Sequence, residues 1–92
     1  MPISVPDQRL QAFGFAVRDA REHVGMSIEA LAEAALLSAR MVIDIEHGKR
    51  NPSLLTILAL ARGLDIEPRK LIEPAARHDP PATSTDIARP AR

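Results

Sequence analysis

The chain has 92 residues, of which 46% are hydrophobic and 2% aromatic, and its 12 basic side chains are balanced by 12 acidic ones. This length suits one small domain, and the apolar content is typical of a folded protein. The absence of cysteine excludes disulfide scaffolds, thiolate metal sites and cysteine nucleophiles. No stretch approaches the roughly 20 apolar residues of a membrane helix, and residues 1–10 lack the pattern of a signal peptide. We therefore expect a cytoplasmic prokaryotic protein without membrane contact.

Apolar residues at spacings of three and four predict a first helix that begins after Asp7. Asp7 is a good N-cap residue, because its carboxylate accepts hydrogen bonds from the free amides of a first turn. Gly25 is a suitable C-cap residue at the other end. The predicted inward face carries Leu10, Phe13, Val17, Ala20 and Val24.

Two short helices follow, joined by a tight turn. Ser27 is the predicted N-cap of a helix over residues 28–35, and Ser38 of a helix over residues 39–46. Gly48 ends the third helix, and the glycine, asparagine and proline around it indicate a loop. The predicted inward residues are Leu31, Ala32, Ala35, Val42 and Ile45.

The last two predicted helices are followed by a proline-rich tail. Ser53 caps a fourth helix over about 54–62, Gly63 and Asp65 form a turn, and a fifth helix covers residues 67–72. Residues 74–92 contain four prolines and one large apolar residue, so we predict that they are disordered. A weak nucleic-acid-binding arm is the alternative for this tail. The predicted core residues of both helices are Leu54, Ile57, Leu58, Ala61, Leu64, Leu71 and Ile72.

These elements predict an all-α domain of five helices over residues 1–73, with a flexible Pro/Ala/Arg tail over residues 74–92. Helices two and three form a helix-turn-helix unit. An α-helix fits the major groove of B-DNA, where its first turns reach base edges, and the preceding helix lies across the backbone.

Residues 13–72 resemble the XRE or phage-repressor and Cro-like helix-turn-helix family. The matching motifs are Arg-x-x-Arg before Gly-x-Ser within residues 18–27, then Leu31-Ala32, and then Ile45-Glu46-x-Gly-Lys-Arg-Asn-Pro-Ser. The resemblance implies a five-helix, lambda-repressor-like bundle whose partner is double-stranded DNA. No cofactor, metal or small-molecule ligand is implied.

The resemblance also implies a role for each matching residue. Arg21 and Glu46 would form an ion pair between the first helix and the end of the third. The positions that would face bases are Ala39, Arg40 and Asp44. The positions near phosphates are Ser38, His47, Lys49 and Arg50.

Several residues depart from the family pattern. Leu36 occupies a turn position that is usually glycine, so either a left-handed leucine is strained by roughly 1–2 kcal/mol or the turn differs. Ile28 replaces a frequent glutamine that binds phosphate. Asp44 either accepts from cytosine N4 or pairs with Arg40 and competes with base reading. Ile43 contacts a thymine methyl, joins a protein-facing patch, or is an ordinary exposed apolar residue.

Apolar residues also occupy usually polar positions of the fourth helix. Two interpretations are open: a two-fold dimer seam, which we favour, or a helix that the tail covers. The residues of this dimer seam are Leu55, Leu58, Ala59 and Ile66.

Catalysis is not expected. The three histidines have no metal-ligand spacing, and the serines are better explained as helix caps than as nucleophiles. Two functions remain. One is a homodimeric, sequence-specific transcriptional regulator that binds an inverted repeat. The alternative is a protein-interaction module that keeps the fold and binds a partner through Met41, Ile43 and Leu55.

Overall fold

The structure is a computed structural model that describes residues 6–81. This part of the chain forms five helices and no strand, which confirms the predicted fold class. None of these helices is long and apolar enough to cross a membrane. The helices are α1 (Gln8–His23), α2 (Ile28–Ala35), α3 (Ala39–Glu46), α4 (Leu54–Leu64) and α5 (Pro68–Ala76).

Each of the four predicted N-caps forms its hydrogen bond. The Asp7 carboxylate accepts from the Arg9 amide at 2.8 Å. Ser27, Ser38 and Ser53 each accept from the amide three residues further on, at 3.0 to 3.1 Å. These bonds satisfy amides that have no partner within their own helix, so the starts of α1 to α4 are determined locally.

The core lies where α1 packs against α3 and α5, and where α2 packs against α3 and α4. Four residues predicted to be inward are exposed: Val24 by 54%, Leu54 by 66%, and Leu58 and Ile72 by 39% each. Val24 follows the last turn of α1, and Leu54 begins α4, so each lies at an end of its helix. Ile72 is one residue from Leu71, and this step of about 100° turns it away from the core. The largest fully buried side chains are Leu31, Ile45, Leu60, Leu71, Val17 and Val42.

Helix α4 continues to Leu64, so Gly63 is helical and only Asp65 takes the left-handed conformation of the predicted turn. Helix α5 continues past Pro74 to Ala76, so residues 74–76, predicted as part of the tail, are helical. Ala75 packs against the core in this last turn and favours the extension. Residues 82–92 of the tail lie outside the described residues.

An arginine connects the start of α1 to the end of the described chain. The Arg9 guanidinium donates to Asp7 and to Asp79, each at 2.8 Å. Hydrogen bonds from Arg9 lower the pKa of Asp7 to about 2. The ion pair with Asp79 holds the segment after α5 beside α1.

Candidate nucleic-acid interface

The turn between α2 and α3 places Leu36 in the left-handed conformation, with φ 60° and ψ 41°. This decides between the two alternatives for the turn: the leucine takes the backbone shape that glycine adopts at low cost. The Leu37 amide donates to the Ala32 carbonyl at 2.8 Å, which closes the end of α2. The Leu36 side chain is 83% exposed and so gains little from packing.

Replacing Leu36 with glycine should therefore stabilise the protein by about 1 kcal/mol, because it removes a left-handed strain of roughly 1–2 kcal/mol against a smaller entropic loss. Urea denaturation followed by circular dichroism measures this gain. Leu36→Ala is the matched control, since it removes the side chain and keeps the strained Cβ. An equal gain in both variants would show that the exposed side chain, and not the backbone, is responsible.

Helix α3 has one buried and one outward face. Val42 and Ile45 are buried against α1 and α2, with 0% and 1% exposed. Position 40 and positions 43 and 44 lie at helical spacing on the outward side, and position 47 continues this stripe after the helix ends. Two further α3 residues, Ala39 and Met41, are partly buried and pack against the core. Arg40 is therefore the one largely exposed residue of α3, with 72% of its side chain exposed.

A buried ion pair fixes the end of α3 to α1. The Arg21 Nε donates to Glu46 Oε2 at 2.7 Å, and Nη2 donates to Oε1 at 3.1 Å. A third bond, from Nη1 to the Met26 carbonyl at 2.8 Å, ties in the loop before α2. The side chains of Arg21 and Glu46 are only 11% and 3% exposed, and the hydrogen bond to Glu46 raises the pKa of Arg21. The pair sets the angle at which α3 leaves the core.

Gly14 is a second contact between α1 and α3, and its role was not apparent from the sequence. The backbone carbonyl oxygens of Ile45 and Glu46 lie where a side chain on Gly14 would begin. In the sequence this glycine is visible only as a loss of helix propensity, roughly 1 kcal/mol relative to alanine. Glycine is needed at position 14 because the absence of a side chain lets the end of α3 approach α1 closely.

The loop after α3 carries the predicted phosphate-contacting residues. Gly48 takes φ 73°, and the Lys49 amide then donates to the Asp44 carbonyl at 2.8 Å. Lys49 and Arg50 are exposed, and neither belongs to an ion pair within residues 6–81. His47 is exposed at the C-cap of α3. This loop therefore presents free positive charge beside the outward face of α3.

Ser38 and Asp44 both have partners inside the protein. The Ser38 hydroxyl accepts from the Met41 amide at 3.0 Å, which leaves its own O–H available as a donor. Asp44 accepts from Arg40, with Nη2 to Oδ1 at 3.3 Å. The side chains of Arg40 and Asp44 are 72% and 27% exposed. The pairing that the sequence left open is thus present.

The predicted dimer seam is only partly at the surface. Leu55 is 75% exposed and Leu58 is 39% exposed, whereas Ala59 is 9% exposed and belongs to the core. Ile66 is half-buried and packs against the same core. Leu54 adds an unpredicted exposed side chain to this end of α4, so the apolar surface there consists of three leucines: Leu54, Leu55 and Leu58.

No group of three or more His, Asp or Glu side chains that would hold a metal ion occurs among residues 6–81. The three histidines, His23, His47 and His78, are each exposed.

Comparison with known proteins agrees with this geometry. The helix-turn-helix family model matches residues 17–71, which include all of α2, the turn and α3. The chain belongs to the XRE-type helix-turn-helix family. The resemblance seen in the sequence is thereby confirmed.

Named relatives of the chain are regulators. The HTH-type transcriptional regulator DdrOP3 of Deinococcus deserti is 35% identical over 57 residues, which are 62% of this chain and 44% of the relative. The chain thus spans less than half the length of this curated relative. The restriction-modification controller protein C.AhdI of Aeromonas hydrophila is 47% identical, with a TM-score of 0.67 over 67% of this chain and 94% of that one. The clp gene regulator ClgR of Corynebacterium glutamicum, 23% identical with a TM-score of 0.72 over 79% of this chain and 78% of that one, supports the fold alone.

Proposed function

We propose that the protein is a sequence-specific DNA-binding transcriptional regulator that acts as a homodimer on an inverted-repeat operator, with α3 in the major groove. The carrying observation is that α3 presents Arg40 outward while Lys49 and Arg50, in the next loop, form no ion pair with any other residue of the described range 6–81. A base-reading side chain next to phosphate-binding cations is what groove recognition needs. The 47% sequence identity to a restriction-modification controller protein supports a regulatory role.

The proposal assigns the base contacts to the outward side of α3. Arg40 is the main candidate, because its guanidinium can donate two hydrogen bonds to guanine. Ala39 and Asp44 are proposed to occupy base-facing positions as well: the methyl group of the partly buried Ala39 offers apolar contact, and Asp44 acts on the bases through its ion pair with Arg40. The proposed phosphate contacts are Ser38, His47, Lys49 and Arg50.

Variants of Arg40 and Lys49 should behave differently on DNA. Arg40→Ala should lower affinity for a selected site by roughly 1–3 kcal/mol and relax the preference for one base pair in each half-site. Lys49→Ala should weaken binding to all DNA sequences alike. It should also reduce the slope of log affinity against log salt concentration by about 0.9 per subunit. Fluorescence anisotropy with a library-selected duplex and a random duplex at several salt concentrations measures both effects. Equal losses for Arg40→Ala on the two duplexes would refute its assigned role.

The homodimer is proposed from the three leucines at the start of α4. Three neighbouring exposed leucines are an unusual feature of a small monomer, because large apolar patches normally mark contact surfaces. A two-fold dimer places two recognition helices about 34 Å apart, so they read successive major grooves on one side of the DNA. It also doubles the few phosphate contacts that each subunit makes.

Leu55→Glu should convert the homodimer to a monomer, since it places a charge in the centre of an apolar contact. Sedimentation velocity over a range of protein concentrations measures the change. Leu36→Glu is the matched control, because it places the same charge on a more exposed leucine, which follows Ala35 and so lies near Gly63 at the opposite end of α4 from the three leucines. Dissociation by both variants, or by neither, would contradict the proposed seam.

The alternative, a protein-interaction module, has weaker structural support. Its proposed surface included Met41, which packs against the core, and Ile43, which is half-buried. Leu55 alone of the three is widely exposed. A wild-type chain that shows no preference for any duplex at low salt would favour this alternative over DNA binding.

A further inference from the structure

We propose that Asp44 is a positioning residue that orients the guanidinium of Arg40 for one guanine in each half-site, so that the pair acts as a single reading unit. This inference rests on the proposed DNA-binding function. It differs from both expectations for Asp44, since the carboxylate neither reads a base itself nor merely opposes the DNA.

The exposure of the two side chains shows which one is held in place. Asp44 is 27% exposed and Arg40 is 72% exposed, so the carboxylate is the more restricted partner and the guanidinium the more mobile one. The contact uses Nη2 at 3.3 Å and occupies one of the five N–H donors of the arginine. The remaining donors are free to form two parallel hydrogen bonds on the outward side of the helix.

The pair is poorly suited to stabilising α3. A basic residue four positions before an acidic one is the less favourable order in a helix. The 3.3 Å distance is also longer than the roughly 2.7–2.9 Å of strong charge-assisted bonds. The contact therefore restricts the arginine while leaving it able to adjust when DNA arrives. Restricting a long side chain before binding lowers the entropy lost on binding, which is the advantage of preorganisation.

Guanine is the base that fits an arginine held in this way. Its O6 and N7 atoms are two acceptors in one plane, and the planar guanidinium matches them. Adenine presents a donor in place of O6, so it would leave one arginine N–H unpaired. The Asp44 charge contributes a second effect: it offsets the Arg40 charge, so the pair attracts phosphates of any sequence only weakly. Holding the Arg40 guanidinium in one orientation therefore raises the affinity for the specific site and does not raise the affinity for DNA of other sequences.

The experiment compares wild type with Asp44→Ala on three duplexes: a library-selected site, the same site with the read guanine replaced, and a random duplex. Asp44→Ala should lower affinity for the selected site by about 3–10-fold, because Arg40 loses its orientation. It should raise affinity for the random duplex by about 2–5-fold, because a negative charge is removed. The ratio of selected-site to random-duplex affinity should fall by the product of these changes, and the preference for guanine, which is the ratio of the selected site to the guanine-replaced site, should fall with the lost orientation of Arg40. Asp44→Asn, which keeps an acceptor oxygen, should restore much of the lost preference.

Two controls separate positioning from a simple charge effect. Asp19→Ala removes an exposed acid that lines the groove between α1 and α5, and it should leave the guanine preference unchanged. In an Arg40→Ala background, Asp44→Ala should no longer change the preference, because a positioning residue has no effect without the side chain that it positions.

Three results would overturn the inference. Higher affinity of Asp44→Ala for all three duplexes, with guanine preference retained, would make Asp44 only an electrostatic opponent of DNA. Loss of preference at a different base pair, with guanine still preferred, would make Asp44 a base-reading residue. A wild-type chain without any sequence preference would overturn the proposed function, and this inference with it.

Discussion

Replacing Gly14 with alanine is expected to destabilise the protein by about 3 kcal/mol or more, the upper range for overpacking. A Cβ at this position would lie 2.6 Å from the Glu46 carbonyl oxygen and 2.8 Å from its carbonyl carbon, and closer still to the carbonyl oxygen of Ile45. These atoms are backbone, so no side-chain rotation relieves the overlap. The helices α1 and α3 must separate, and a separation there also strains the ion pair between Arg21 and Glu46.

Urea denaturation of Gly14→Ala and Gly63→Ala tests this explanation, because both glycines are inside helices. A Cβ on Gly63 would meet its nearest atoms at 3.2 to 3.3 Å, in the contact with α2. A shift of a few tenths of an ångström accommodates it, and alanine gains roughly 1 kcal/mol of helix propensity. Gly63→Ala should therefore remain within about 1 kcal/mol of wild type. A loss below about 1 kcal/mol for Gly14→Ala would contradict the close approach of α3.

Features that depend on neighbouring residues were predictable from the sequence. The N-cap serines, the bounds of α2 and α3, and the basic loop after α3 all follow from local patterns, and the structure places them as expected. Gly14 could not be understood in this way, because the carbonyl groups that it admits come from a helix more than thirty residues further along the chain. The end of α5 was missed for a similar reason. Pro74 suggests a stop, whereas the contact of Ala75 with the core continues the helix.

The candidate site was only partly predictable. The four-residue spacing of Arg40 and Asp44 made a contact possible, and the structure shows that it forms. The left-handed shape of Leu36 and the burial of Ala59 were not decided by the sequence, since each depends on how α2 and α4 pack. A periodic apolar pattern indicates which face of a helix is buried, but it does not show how far neighbouring helices cover that face at the two ends of the helix.

A net charge of zero is compatible with DNA binding because the charges are unevenly paired. Arg18 pairs with Glu22 on α1, and Arg69 pairs with Glu67 and Glu73 around α5. Helix α5 packs mainly against α1 and α4, away from the outward face of α3. These three acidic side chains are therefore neutralised by neighbours on α1 and around α5 rather than by the basic side chains of the proposed interface. The cations of the loop after α3 have no such partners within residues 6–81, and they set the local potential.

Removing the carboxylate of Glu46 should be the most damaging single change of charge, with a loss of about 3–5 kcal/mol in Glu46→Ala. The Arg21 guanidinium, 11% exposed, would remain buried with the Met26 carbonyl as its one hydrogen-bond partner and the exposed Glu22 carboxylate at 3.9 Å as its nearest counter-charge. A domain of this size has a total stability of roughly 4–11 kcal/mol, so this loss removes a large part of that stability and loosens the attachment of α3 to α1. The free energy of unfolding, measured by urea denaturation, and the affinity for DNA should therefore decline together.

The matched control for this prediction is Glu73→Ala, which removes an exposed carboxylate paired with Arg69 four residues away. Exposed pairs of this kind contribute about 0.3–0.5 kcal/mol, so its stability should barely change. The double variant Arg21→Met with Glu46→Leu should be more stable than Glu46→Ala, because it leaves no unpaired buried charge. If Glu46→Ala lost no more stability than Glu73→Ala, the buried pair of Arg21 and Glu46 would stabilise the protein no more than an exposed pair does. A further outcome is a double variant that regains stability without regaining DNA binding. That result would show that the main effect of the Arg21–Glu46 pair is to orient α3. Apolar side chains can replace the stability that the pair provides, but they cannot replace its two directed hydrogen bonds.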